Sequence, residues 1–294
     1  MSDDVFTDER PRLVGLAYRL LGSLNDAEDI VQEAWVRWNR ADQPSIANPA
    51  AWLTTVVSRI GIDKLRSRQR DRAEYVGPWL PEPLVSFDDE PAAAAELSDS
   101  LTTAFLVMLE RLSPQERLVL LLADVFQEPF AAVADVVGKS EDATRQMAVR
   151  ARRKVRTDHE WRPPSRAEQL AVANDFVAAI LVGDEHRVRE LLTPDAVLTS
   201  DGGAARHAAR RAVVGQQRIT RFIINIMKRW LAIEVEGVSM QAITVNGMPG
   251  IVFAIHDRPY WVAGFEVREG RVDRLYTMLN PDKLTAVGRH TDLV

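Results

Sequence analysis

The sequence predicts a multidomain protein with two all-α domains followed by one α+β domain. Three observations lead to this fold class. At 294 residues the chain is longer than one hydrophobic core usually needs. Apolar residues recur at helical spacing through the first half. Beyond about residue 166 the pattern changes, and the chain closes with strands of alternating apolar residues joined by glycine-containing turns. Helices first and an antiparallel meander last are typical of an α+β domain.

Composition excludes several classes of protein. The chain is 46% hydrophobic and 27% charged, which is a globular composition. It has no cysteine, so disulfides, thiolate zinc sites and iron–sulfur clusters are excluded. The acidic N-terminal segment lacks the apolar stretch of a signal peptide, and no apolar run approaches the roughly 18 residues of a membrane span. We expect a cytoplasmic protein with no membrane partner, no metal and no cofactor.

The first helical domain is expected over residues 1–75. One amphipathic helix has apolar positions that step by three and one, namely Ala27, Ile30, Val31, Ala34, Trp35 and Trp38. Asn25 is predicted as its N-cap, with Glu28 completing a capping box. Pro49 opens a second helix, over 50–65. The net charge of −5 argues against general polyanion binding, but a basic cluster from Arg59 to Arg72 supplies a local basic face.

A linker is expected over residues 76–98. Its first part, VGPWLPEPLVSFDDEP, contains four prolines and four acids. Proline cannot continue a helix, and it biases the preceding residue towards extended geometry. The segment therefore reads as an ordered or semi-rigid connection.

The second helical domain is expected over residues 99–160, with helices at 101–110, 114–126, 129–137 and 141–156. In the last pair, Pro129 starts the first helix, Gly138 permits a sharp turn and Ser140 can cap the second helix. The second basic cluster, Arg145 to Arg156, lies on that helix. This pattern indicates a helix-turn-helix whose second helix enters a major groove. An ordinary αα-hairpin with a solvated basic face is the alternative.

The third domain is expected over residues 165–284, with a tail at 285–294. Helices are predicted at about 166–182, 185–192 and 216–230, and strands at 196–200, 233–245, 250–256, 259–268 and 271–279. Asn246-Gly247 and Glu269-Gly270 supply hairpin turns. Acid–base groups could come from Asp201, His207, His256, Asp257, Tyr260 and Trp261. These residues have no catalytic or metal-ligand spacing, and His256-Asp257 equally fits a turn, so we expect no enzyme activity.

Short motifs extend this picture. DAEDIVQE (26–33), AWL (51–53) and IDKLR (62–66) resemble region 2 of the extracytoplasmic-function sigma factors of RNA polymerase. LSPQER (112–117) and the basic helix after Ser140 resemble region 4. The last domain resembles SnoaL-like domains of the ketosteroid-isomerase-like superfamily, in which a bent sheet encloses a conical pocket. A subgroup of these sigma factors carries such an extension, and WLPEPL (79–84), DGGA (201–204) and NPDKL (280–284) match its motifs.

The resemblance implies roles for individual residues. Docking on core RNA polymerase, through its β′ and β subunits, is assigned to Asp26, Asp29, Gln32 and Glu33. Binding of the −10 promoter element is assigned to Arg59, Lys64, Arg66, Arg68 and Arg70. Binding of the −35 element is assigned to Lys139, Ser140, Arg145, Gln146, Val149, Arg152 and Arg153. For the acidic face the alternative is a solvated helix surface, and Trp52 is expected in the core rather than as a base-stacking platform.

The resemblance also implies contacts between domains. Regulatory contacts are assigned to Trp79, Leu80, Pro81, Glu82, Pro83, Leu84, Asp201, Gly202, Gly203, Asn280, Pro281, Asp282, Lys283 and Leu284. The expected function is a sigma factor that directs RNA polymerase to promoter DNA and is regulated in cis by its C-terminal domain, whose pocket could hold an unknown small ligand. The alternative is a SnoaL-like ligand-binding or catalytic protein tethered to DNA by the helix-turn-helix.

Overall fold

The computed structural model describes residues 2–71, 75–87, 102–155, 164–231, 236–285 and 287. The chain divides into two compact units, a helical one from Met1–Glu74 and Phe105–His159 and a sheet-containing one from Tyr75–Ala104 and Glu160–Asp292. The predicted order, with all-α parts first and an α+β part last, is confirmed. Most of the predicted tail, and the predicted boundaries at residues 98 and 160, lie outside the described residues.

Seven helices are described in the first half of the chain. They are α1 (Ser2–Leu21), α2 (Leu24–Arg40), α3 (Pro49–Asp71), α4 (Thr103–Leu109), α5 (Pro114–Leu120), α6 (Phe130–Val137) and α7 (Glu141–Val155). A π-helical turn, Leu121–Val125, continues α5. The start of α5 is fixed by a capping box, in which Ser113 and Glu116 bond to each other's backbone N–H. Helix α5, which precedes the helix-turn-helix pair α6–α7, therefore begins at a well-defined residue.

The start of α2 differs from the prediction. Ser23 is the N-cap, and its Oγ accepts a hydrogen bond from the N–H of Asp26 at 3.2 Å. The capping box predicted for Asn25 and Glu28 is wrong, because the helix begins at Leu24, whose buried side chain adds one more apolar residue to the packed face.

The predicted apolar face of α2 is also narrower than expected. Trp35 is 43% exposed, whereas the other predicted positions are buried. At 100° a residue, Trp35 lies about 80° round the helix from Ala27, at the edge of the apolar stripe. The edge of the stripe faces outward, so Trp35 lies on the surface of α2.

In its described residues, the second unit contains one seven-stranded sheet and three α-helices. The helices are α8 (Arg166–Val182), α9 (Glu185–Glu190) and α10 (Gln216–Leu231). The strands are β1 (Val85–Ser86), β2 (Leu192–Asp201), β3 (Val213–Val214), β4 (Val238–Val245), β5 (Met248–Ile255), β6 (Arg258–Arg268) and β7 (Arg271–Met278). Their order is β1-β4-β5-β6-β7-β2-β3, with β2 parallel to β7 and every other pair antiparallel.

Three hairpin turns connect the successive strands β4, β5, β6 and β7. Asn246-Gly247, His256-Asp257 and Glu269-Gly270 each place two consecutive residues at positive φ. Two such residues form the type I′ turn, which matches the right-handed twist of the flanking strands. Both predicted turns are confirmed, and His256-Asp257 is the turn that the sequence left as an alternative.

Alternation along the strands separates the two faces of the sheet. Trp261, Ala263 and Phe265 of β6 point to the face that packs on α8 and α10, and the core of the unit lies there. The neighbouring Val262 of β6 and Tyr276 of β7 point to the opposite face, where they meet Leu80, Pro81 and Pro83 of the predicted linker. One face thus lines a cavity, and on the other face the linker packs beside Val262 and Tyr276.

Candidate functional site

The acidic face of α2 is only partly open to solvent. The side chain of Asp29 is 72% exposed, whereas that of Asp26 is 15% exposed. Lys64 Nζ lies 2.6 Å from Asp26 Oδ1 and 3.4 Å from Asp29 Oδ2, and Arg68 also pairs with Asp26. Two predicted docking acids and two predicted −10 cations therefore form one ion-pair network between α2 and α3. Gln32 and Glu33 are exposed.

The remaining predicted −10 residues lie along α3. Arg59 and Arg66 are exposed, and Arg66 Nη1 lies 3.2 Å from Asp63 Oδ1. The side chain of Arg70 and all of Arg72 lie outside the described residues. Trp52 is half-buried, with its ring centroid 5.5 Å from that of Trp38 on α2, so it packs between helices as expected.

The helix-turn-helix is built on small buried side chains. Thr144, Ala148 and Ala151 of α7 are fully buried, and Gly138 has a φ of +67° at the end of α6. Small residues let the two helices approach closely, and glycine adopts positive φ without strain. Ser140 Oγ accepts from the N–H of Ala143 at 3.3 Å, as an N-cap does. The whole predicted −35 set is exposed: Lys139, Ser140, Arg145, Gln146, Val149, Arg152 and Arg153.

Two of these arginines are already held by neighbours. Arg152 makes a two-pronged contact with Asp124, at 2.8 Å from Nε and 2.5 Å from Nη2, and this hydrogen bonding raises the pKa of Arg152. Arg145 pairs with Glu141, and its guanidinium lies 4.6 Å from the ring centroid of Phe130. The Asp124 contact ties α7 to the turn after α5, so Arg152 stabilises the fold of this unit as well as its exposed face.

A buried arginine joins the two predicted helical domains. Arg117, which is 1% exposed, donates from Nε and Nη2 to the carbonyl oxygen of Arg19 at 3.1 and 2.9 Å. Its Nη1 lies 2.6 Å from Glu110 Oε1. Burial lowers the pKa of Arg117 to about 9. The segments predicted as separate domains, 1–75 and 99–160, thus share a buried polar contact.

In the second unit, the three short motifs of the sequence meet at Asp201, which is fully buried. Its Oδ1 accepts from the hydroxyl of Tyr75 at 2.6 Å and from the N–H of Gly203 at 3.0 Å. Its Oδ2 accepts from the N–H of Leu80 at 2.8 Å and from Lys283 Nζ at 2.7 Å. We call Tyr75, Leu80, Asp201, Asn280 and Lys283 the Asp201 node.

Further contacts close the Asp201 node. Lys283 Nζ donates to the carbonyl oxygen of Leu80 at 2.6 Å and lies 4.1 Å from the ring centroid of Trp79. Asn280 Nδ2 donates to the hydroxyl oxygen of Tyr75 at 2.9 Å. Burial, followed by the hydrogen bond to Asp201, raises the pKa of Tyr75 well above its ordinary value. Tyr75 was not predicted as a site residue, because it lies four residues before WLPEPL and outside any motif.

Both glycines of the DGGA loop are required by their surroundings. A Cβ on Gly202 would lie 2.3 Å from the carbonyl oxygen of Arg206, and a Cβ on Gly203 would lie 2.7 Å from Asn280 Nδ2. Gly203 also has a φ of +55°. Ala204 follows these glycines and is exposed, so alanine fits there.

The rest of the linker motif is packed on the sheet. Pro81, Glu82 and Pro83 are buried. The N–H of Leu84 donates to Asn246 Oδ1 at 3.3 Å, and the N–H of Asn246 donates to the carbonyl oxygen of Leu84 at 2.8 Å. The following residues form β1 and pair with the edge of β4. In the C-terminal motif, Pro281–Lys283 form a 3₁₀ turn capped by Asn280, which bonds the N–H of Asp282, and Leu284 is buried.

The acid–base groups considered from the sequence do not form one catalytic arrangement. Both carboxylate oxygens of Asp201 are occupied by donors of the node. His256 and Asp257 form the turn between β5 and β6. Among the described residues that line the apolar cavity there is no carboxylate. Within the described ranges, no cluster of histidines and acids could hold a metal, and no helix has the length and apolarity to cross a membrane.

Comparison with known proteins identifies the helical segments. Residues 5–71 match the model of Sigma-70 region 2, and residues 102–155 match that of Sigma-70 region 4. The ECF RNA polymerase sigma factor SigJ of Mycobacterium tuberculosis is 42% identical, over 94% of this chain and 91% of its own length. The probable ECF sigma factor SigI of the same organism is 30% identical, over 94% and 92%. The crystal structure of SigJ superposes with a TM-score of 0.75, covering 96% of this chain and 98% of that one.

Proposed function

Since the chain belongs to the extracytoplasmic function (ECF) sigma factors of RNA polymerase, we propose that its C-terminal domain regulates promoter-directed transcription in cis. The chain directs RNA polymerase to promoters and initiates transcription there. Core polymerase and promoter DNA are therefore its partners, and its place of action is the cytoplasm, where both are found. The Asp201 node is the observation that carries the cis regulation.

Docking on core polymerase is assigned to Asp29, Gln32 and Glu33 of α2. Their exposure supports this role, because acidic groups on an open surface steer and orient a basic partner surface. The partner surface belongs to the β′ subunit, with β contributing to the complex. Asp26 has a different part, since its pairing with Lys64 and Arg68 positions two cations of α3.

Promoter recognition is assigned to the basic faces of α3 and α7. Arg59 and Arg66, with Lys64, Arg68 and Arg70, contact phosphates of the −10 region, where strand opening exposes bases. On α7, the side chains of Gln146, Val149 and Arg153 are exposed. Arg145 and Arg152 pair with Glu141 and Asp124, and each gives up this ion pair when it binds DNA. Lys139 and Ser140 lie at the start of α7, where helix N-termini bind phosphate.

The C-terminal domain controls the segment that joins regions 2 and 4. Tyr75, Leu80 and β1 are all anchored to it, by the Asp201 node at one end and by pairing with β4 at the other. Covalent connection gives an effective concentration of millimolar order, so even a weak contact is well occupied. The path of the linker therefore depends on the folded state of the C-terminal domain. We assign no reaction to this domain, because both carboxylate oxygens of Asp201 already accept hydrogen bonds.

Transcription by purified core polymerase tests this function. The comparison uses the full-length chain, a chain ending at Leu279, and a chain cut at about residue 165. Ending the chain at Leu279 removes Asn280–Val294, and with them Lys283 of the node, while the rest of the domain still supports the linker through the pairing of β1 with β4. We expect release of this tail contact to raise activity from a cognate promoter. Removing the whole domain deletes the support of the linker, so we expect lower activity.

Folding of each chain is checked by circular dichroism before transcription is measured. Equal activities of the three chains would show that the extension has no regulatory role. A full-length chain that binds DNA but neither binds core polymerase nor supports run-off transcription would indicate a DNA-tethered ligand-binding protein instead.

A further inference from the structure

An apolar cavity of about 170 Å³ lies between α8, α10 and the inner face of the sheet. Its aromatic lining consists of Phe176, Phe222, Phe253, Trp261 and Phe265. For scale, an engineered cavity of about 150 Å³ with apolar walls stays dry and binds benzene. The walls are mostly apolar, with Ser200, His207 and Thr277 as polar exceptions, so the cavity suits the apolar body of a small organic molecule, such as one phenyl ring or a short alkyl chain.

A second cavity of about 150 Å³ adjoins the first and has a different chemistry. The loop 202–210 forms most of it, and Val76 and Gly77 of the linker complete the wall. Arg206 and Arg210 are among its lining residues, and among the described residues of the lining there is no carboxylate to balance them. This cavity therefore favours a negatively charged group.

Arg206 is held in place but not neutralised. Its guanidinium carbon lies 3.5 Å from the ring centroid of Tyr260, so the ring fixes the plane of the guanidinium group. Its Nη1 is buried and has no hydrogen-bond partner among the described residues. A buried donor without an acceptor is costly, and a carboxylate oxygen is a strong acceptor for a guanidinium N–H.

The two cavities adjoin each other. Ser200, His207 and Ala208 line both of them, so a molecule that passes between these side chains would reach from one cavity into the other. We propose that the C-terminal domain binds a small amphipathic carboxylic acid, with its apolar body in the aromatic cavity and its carboxylate on Arg206. Such a ligand would contact Val76 and Gly77 directly, which places it against the linker between regions 2 and 4. The binding itself does not depend on the proposed cis regulation.

Binding to the full-length protein is tested with octanoate and 1-octanol, which share an eight-carbon body and differ in charge. Isothermal titration calorimetry gives affinity and stoichiometry, and a change in total tryptophan fluorescence, to which Trp261 of the cavity wall contributes, supports occupancy. We expect one octanoate per chain, bound at least tenfold more tightly than octanol. In Arg206→Gln we expect octanoate binding to weaken about tenfold or more, while octanol binding stays the same.

Two further variants make the test specific. Arg189→Gln removes an exposed arginine of α9 that lines neither cavity, and it should bind octanoate like the unaltered chain. Ala208→Phe fills the common wall and should abolish the preference for octanoate. Equal affinities for the two probes, no binding of either, or undiminished octanoate binding in Arg206→Gln would each overturn the proposal. Should Arg206→Gln fail to fold, the comparison of the two probes on the unaltered chain still decides. None of these outcomes bears on transcription, so the proposed function is tested separately.

Discussion

Replacing Lys283 by methionine perturbs the Asp201 node at its single ammonium–carboxylate contact. The side chains of Lys283 and Asp201 are 9% and 0% exposed, and Nζ lies 2.7 Å from Oδ2. Methionine keeps most of the apolar stem, so packing against Trp79 is largely preserved. The carboxylate of Asp201 then stays buried without its cation.

The expected cost follows from this burial. Removing one partner of a buried ion pair costs about 3–5 kcal/mol, because the remaining charge is uncompensated. Asp201 keeps three donors, from Tyr75, Leu80 and Gly203, so we expect a loss near the lower end, about 3 kcal/mol. Denaturant unfolding followed by tryptophan fluorescence measures this loss. Limited proteolysis should also show faster cleavage within residues 75–87, because the linker loses an anchor.

A matched control and a double variant separate charge burial from general damage. Lys228 is 65% exposed and lies 3.1 Å from Glu185, so Lys228→Met should cost less than about 1 kcal/mol. Adding Asp201→Asn to Lys283→Met removes the unpaired charge and should recover part of the loss, with a coupling of about 0.5–3 kcal/mol. Equal small losses for Lys283→Met and Lys228→Met, with no coupling, would refute the reasoning.

Three other predictions concern the acidic face of α2, the basic face of α7 and the hydroxyl group of Tyr75. Charge reversal of Asp29 and Glu33 should abolish assembly with core polymerase in a pull-down assay while the melting curve is unchanged; normal assembly would contradict the docking role. Alanine at Arg145 or Arg153 should weaken −35 binding by about 1–3 kcal/mol if the arginine reads a base, whereas a phosphate contact would lower the salt dependence by about one unit; unchanged −35 footprints for both would remove the recognition-helix assignment. The raised pKa of Tyr75 means that folding favours its neutral form. The stability that this form contributes is therefore complete below the unfolded pKa near 10, and it is lost as the pH rises through the higher folded value. The stability difference between the unaltered chain and Tyr75→Phe should therefore shrink above pH 10 in denaturant unfolding, and a constant difference would show that the phenol is not held neutral.

The sequence predicted what depends on local pattern. Helical periodicity and capping residues located most helices to within a few residues, but α1 was not predicted, α2 begins earlier than expected and α3 is longer. The turns Asn246-Gly247 and Glu269-Gly270 were predictable because few residue pairs tolerate positive φ at both positions. The node residues that lie in motifs were also predictable, because a family resemblance indicates individual residues as well as helices and strands.

Contacts between distant elements were not predictable. The two-residue strand β1 is too short to show a period, and its pairing with β4 depends on where the linker lies on the sheet. Tyr75 gave no signal, because its role arises from the placement of Asp201 far along the chain. The pairing of Lys64 with Asp26 likewise follows from the packing of α3 on α2. From the sequence, Asp26 was assigned to the docking face and Lys64 to the −10 face, and only the fold shows that their charges are paired.

The contact at Arg117 bears on how the protein meets a promoter. A compact unit of 100–150 residues has a radius of gyration of about 13–15 Å and so spans roughly 35–40 Å. Promoter elements centred at −10 and −35 are about 25 base pairs apart, which is roughly 85 Å at 3.4 Å per pair. We therefore expect regions 2 and 4 to separate when both elements are bound, which would break the hydrogen bonds from Arg117 to the carbonyl oxygen of Arg19. A hydrogen bond to a charged group contributes about 1.5–3 kcal/mol, and part of this is recovered when the guanidinium group binds water instead. We expect this contact to favour the closed arrangement in the free protein, and core polymerase and promoter DNA to supply the free energy that opens it.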